Sequence, residues 1–139
     1  MVDDQKTCKV ADFGLLREIP KDDSIYQSKT DSDTPLPIRW MAPESLRHRK
    51  FSPASDVWSF GVLLWEMYYP RKLPYAEFGM DQISFQLHSG HRLSIPPAYP
   101  SIVARVMKAC WQIEPEKRPS FQLISSVLTK FNDFKSEDL

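Results

Sequence analysis

Hydrophobic positions are unevenly spread along this chain: scattered up to about residue 50, then dense and periodic. The densest run is SDVWSFGVLLWEMYY, which begins at Ser55 and is followed by Pro70. Ser55 is placed to cap a helix and Pro70 to end it. Val57, Trp58, Phe60, Val62, Leu63, Leu64 and Trp65 fall on every side of that helix, the pattern of a segment buried in a core. A shorter helix is predicted from Asp81 to Ser89, with Gly90 as its stop. Ile102, Val103, Val106, Met107, Cys110 and Trp111 recur at helical spacing for a third. Phe121, Ile124, Val127, Leu128 and Phe131 do so for a fourth, opened by Pro119 in its first turn. Before these helices, TCKVA (residues 7–11) alternates and reads as one short strand without a ladder partner. Residues 17–38 are polar and aperiodic, a connection long enough in a compact domain to be functional or disordered. The expectation is a mainly α fold of about four helices and one orphan strand, with no internal repeats.

Composition narrows the class of protein. A 42% hydrophobic share over 139 residues is enough for one domain with a real core. Eighteen basic residues balance eighteen acidic ones, so no net field points to nucleic acid or to an anionic membrane. Cys8 and Cys110 lack metal-ligand spacing and read as free thiols in a reducing compartment. MVDDQKTCKV is acidic and has no apolar stretch, so it does not read as a signal peptide. The longest apolar run, VLLWEMYY, is interrupted by Glu66 and falls short of a membrane span.

Four motifs follow in order: Asp12-Phe13-Gly14 after the strand, PIRWMAPE at residues 37–44, DVWSFG at 56–61, and Cys110-Trp111 with Pro115, Arg118 and Pro119. Alone, the first is a three-letter coincidence. Together, in this order and spacing, they resemble the C-terminal half of a protein kinase domain, and the proline and basic residue ahead of Ala42-Pro43-Glu44 resemble its tyrosine-specific branch. The resemblance covers essentially the whole chain. It implies a partial kinase domain at 1–133, with strand and DFG at 7–14, an activation segment at 12–44, helices over 52–131 and a short polar tail at 134–139. The expected fold is the C-terminal lobe of the protein-kinase-like α+β fold.

The resemblance also implies roles. Asp12 would hold the Mg2+ that bridges the ATP phosphates, because magnesium prefers hard oxygen ligands. Phe13 would be the apolar plug beside it. Tyr26, the one tyrosine of the activation loop, would be a phosphorylation site. Pro37, Ile38, Arg39 and Trp40 would form the platform beneath the residue after a substrate tyrosine. Glu44 and Arg118 would form a bidentate ion pair, and Asp56 would accept backbone hydrogen bonds from a catalytic loop. ATP and Mg2+ are the implied cofactors, tyrosine-bearing proteins the implied partners, and the cytoplasm, or the cytoplasmic part of a receptor, the implied location.

Other kinase parts have no counterpart here. Gly14, Gly61, Gly79 and Gly90 make no G-x-G pair, no V-A-I-K lysine occurs, and His48-Arg49-Lys50 and His91-Arg92-Leu93 lack the aspartate of an H-R-D base. Without these parts the chain itself is expected to be inactive and to hold ATP poorly. Two readings follow. One is a piece of a tyrosine kinase whose parent phosphorylates proteins. The other is a non-catalytic interaction module that binds a substrate, a kinase or a regulatory domain through its groove and the 81–89 helix. Asp12, Glu44, Asp56 and Arg118 are all retained, which favours the first.

Overall fold

The computed structural model describes residues 3–16, 25–27 and 36–137. Among them are five α-helices: α1 (Pro43–His48), α2 (Pro53–Tyr68), α3 (Met80–His88), α4 (Ser101–Cys110) and α5 (Phe121–Glu137). Two short strands, β1 (Tyr26–Gln27) and β2 (Lys50–Phe51), pair antiparallel, with Tyr26 opposite Phe51. The chain is mainly α, as its pattern predicts.

The central helix begins earlier than predicted. Ser52, not Ser55, is its N-cap: the Ser52 hydroxyl accepts from the Ser55 amide at 3.3 Å, and the Ser55 hydroxyl accepts from the Ser52 amide at 2.9 Å. Pro53 occupies the first helical position, where a missing N–H costs nothing. This reciprocal box satisfies two amides at the end of the helix. The helix stops at Tyr68, and the amide of Tyr69 closes its last turn on the Trp65 carbonyl.

One side of α2 meets α4. Trp58, Val62, Met107 and Cys110 are fully buried there, each large apolar side chain contributing about 1.5–3 kcal/mol. Gly61 permits the close approach. A Cβ at that position would lie 2.6 Å from Trp111 Nε1 and 2.9 Å from Cys110 Cβ, so any side chain would wedge the helices apart. Farther along, the Trp65 indole donates to the Ser94 carbonyl at 3.0 Å and the Tyr99 hydroxyl donates to the Leu64 carbonyl, tying the 94–99 segment to α2. α5 adds Ile124, buried, with Val127 and Leu128 packed against the same core.

The helix is open along one edge, since Leu63 is 48% and Met67 70% exposed, one turn apart. An all-round apolar helix calls for cover, but its pattern does not say which elements supply it. The predicted strand at residues 7–11 reduces to a single bridge at Cys8. Instead Asp3 draws the preceding segment into a turn: its carboxylate accepts from the amides of Gln5 and Thr7 at 3.0 and 2.8 Å, and Lys6 adopts φ 61°. The described sheet lies elsewhere, with β1 inside the segment that reads as aperiodic. α1 was not visible in the pattern, because six residues are too few to show a helical period.

Both cysteines are free thiols, Cys8 exposed and Cys110 buried. Burial pushes the Cys110 thiol up to about 11. Among the described residues no helix is long and apolar enough to cross a membrane.

Candidate substrate platform and its supports

Residues Ile38–Trp40 form one tight 3-10 turn that leads into α1. Pro37 is exposed, Ile38 and Trp40 are half-buried, and Arg39 is buried. Arg39 therefore faces inward. Its Nη1 donates to the carbonyls of Pro74, at 3.0 Å, and Tyr75, and its Nη2 donates to that of Phe78 at 3.1 Å, while among the described residues its Nε has no acceptor. The guanidinium thus clamps the 74–78 loop under the turn, leaving Pro37, Ile38 and Trp40 to form the outer surface. Tyr75 in that loop has φ 52° and is almost fully buried, which raises its phenol far above the usual range.

Trp40 is fixed twice from α2. Its indole N–H donates to Glu66 Oε2 at 2.7 Å, and its carbonyl accepts from the Ser59 hydroxyl at 2.8 Å. Neither Glu66 nor Ser59 was singled out as a site residue from the sequence. Glu66 did leave a signal: a carboxylate inside an otherwise apolar core helix requires a hydrogen-bond partner.

Glu44 and Arg118 meet across 74 residues of chain. Arg118 Nη1 and Nη2 donate to Glu44 Oε1 and Oε2 at 2.6 and 2.8 Å. The arginine also donates to the carbonyls of Gln112, Ala54 and Ile113 at 2.8, 2.9 and 3.2 Å. Its guanidinium lies 5.1 Å from the Trp58 ring centre. The pair staples α1 and the start of α2 to the segment ahead of α5.

The remaining predicted residues stand apart from this arrangement. Asp12 is exposed, in the left-handed region at φ 65°, and Phe13 is 63% exposed on the turn that follows. Among the described residues Asp12 shares no hydrogen bond or ion pair with the platform. Gly14 completes the same exposed turn. Tyr26 is half-buried on β1, its ring 6.4 Å from that of Phe51. Beside it runs the exposed basic stretch Arg47-His48-Arg49-Lys50, with no ion pair among the described residues. Asp56 lies in the first turn of α2, where no donor reaches its carboxylate among the described residues, and partial desolvation raises its pKa.

A central buried helix that anchors both a tryptophan-bearing turn and an arginine–glutamate fork is the construction of the helical lobe of a protein kinase. A sequence model of protein tyrosine and serine/threonine kinases matches residues 1–128. The chain is also 40% identical over 121 residues to the tyrosine-protein kinase transforming protein Fps of avian sarcoma virus (strain PRCII), an alignment covering 87% of this chain. This chain belongs to the protein kinase family. It spans about a fifth of that relative's length, the alignment covering 22% of it.

Proposed function

We propose that this chain is the substrate-side lobe of a protein tyrosine kinase, whose parent transfers the γ-phosphate of ATP to tyrosine on proteins in the cytoplasm. The observation that carries the reading is the double anchoring of Trp40. A flat ring held by a charged acceptor and by its own carbonyl loses little entropy when a peptide lies on it. Pro37 has a fixed φ and an exposed ring, so it adds a rigid edge. Arg39 supports both from below.

Asp12 fits magnesium as a single hard ligand, since its carboxylate is exposed. With ATP bound, the ion supplies charge neutralisation at the phosphates. In this chain Asp12 supplies a carboxylate and nothing more. Tyr26 is proposed as a phosphorylation site: β-pairing sets it beside Arg47, Arg49 and Lys50, which make no ion pair among the described residues, and a phosphate there would gain charge-assisted hydrogen bonds. The second reading, an interaction module, draws on Phe85, 71% exposed on α3.

The platform is tested by titrating the chain with a tyrosine-bearing peptide while following the four indole N–H resonances by NMR. Trp40, assigned with Trp40→Phe, is expected to move, and Glu66→Gln to weaken the response. Shifts confined to α3, with the Trp40 signal unmoved, would favour the module reading instead.

A further inference from the structure

We propose that the groove between the 92–99 segment and α4 binds a small apolar carboxylate. It is an open groove of about 710 Å³, within the size range of small-ligand sites. Its apolar walls come from Leu93, Ile95, Pro96 and Trp111, and its charged lining residues, Arg92 and Lys108, are both cations. Among the described residues, no aspartate or glutamate lines it. The site is separate from the platform, sharing no residue with the 37–40 turn or with Glu66.

Arg92 decides the chemistry. Its Nε donates to the Trp111 carbonyl at 2.9 Å, and its Nη1 to the carbonyls of Leu87 and His91 at 2.8 and 2.7 Å. Nη2 has no acceptor among the described residues. The guanidinium lies 4.9 Å from the centre of the same Trp58 ring that Arg118 approaches. Arg118 has Glu44 as counter-ion, whereas Arg92 has carbonyls and, among the described residues, no carboxylate within ion-pair distance. Carbonyl dipoles only partly offset the cost of taking a cation out of water, so an anion entering the groove meets an uncompensated charge. Lys108, at the exposed rim, adds a second one. The apolar walls disfavour a fully hydrated anion such as phosphate and suit an acid with a hydrocarbon or aromatic body.

The test is an NMR titration of the whole chain with 2-naphthoate and with neutral 2-naphthamide. The acid is expected to shift Leu93, Ala104 and Trp111 and to bind roughly tenfold more tightly than the amide, as one charge-assisted hydrogen bond predicts. Ala104→Phe, which fills the groove from α4, is expected to abolish the shifts. Lys108→Glu, at an exposed position that leaves the fold intact, is expected to weaken the acid and not the amide. Equal binding of acid and amide, shifts outside the groove, or an unchanged response in Lys108→Glu would each overturn the proposal.

Discussion

Arg118 uses every N–H it has. Nε makes one hydrogen bond and each terminal nitrogen makes two, shared between both Glu44 oxygens and three carbonyls. The side chain is fully buried, so each of those groups would be stranded without it. Arg118→Ala is expected to destabilise the chain by about 3–5 kcal/mol, the usual cost of breaking one half of a buried pair. Arg118→Lys should recover little, because an ammonium cannot present the planar fork. Thermal denaturation of the three proteins checks both statements, and a lysine variant that melts with the native protein would refute the second. The resemblance to a kinase domain implied Glu44 and Arg118 as partners, but it did not announce the three carbonyls. Those depend on where the 112–113 and 54 backbones arrive.

At the scale of elements, α2 has two unlike faces. Toward α4 it is packed so closely that Gly61 admits no side chain, while Leu63 and Met67 remain open. Two large apolar side chains exposed one helical turn apart favour self-association. The native chain is expected to self-associate in sedimentation velocity as concentration rises, and Leu63→Lys with Met67→Lys to shift it toward monomer. Both positions are exposed, so helix content by circular dichroism should stay the same. A native chain that is monomeric at all concentrations would show that this face is harmless. β1 teaches a related lesson. Two residues of strand are invisible to any period-two reading, and they exist because β2 is there to receive them.

For the whole molecule, the distribution of parts sets what it can do alone. The chain has one DFG carboxylate and the proposed substrate turn, but no G-x-G pair, V-A-I-K lysine or H-R-D base in its sequence. A lone carboxylate leaves the nucleotide's phosphates and base without further contacts. Mg-ATP is therefore expected to bind the isolated chain no better than about millimolar, roughly 4 kcal/mol. Calorimetry checks this, together with transfer of labelled phosphate to a tyrosine polymer, which should be undetectable. Low-micromolar affinity, or transfer abolished by Asp12→Ala, would mean that this chain assembles a nucleotide site from other residues.

The sequence by itself determined the family, the four larger helices and the identity of the Glu44–Arg118 pair. The helices rest on local periodicity, the family on motif order, and the pair on what the resemblance to that family implies. Only the tertiary structure decided that Arg39 turns inward, that Glu66 and Ser59 hold Trp40, that α2 is open along Leu63 and Met67, and that Arg92 lacks the counter-ion Arg118 has. The contacts among these join residues 19 to 39 apart, and the rest depend on which element covers which face. Side-chain identity says what a residue requires; folding determines which neighbour supplies it.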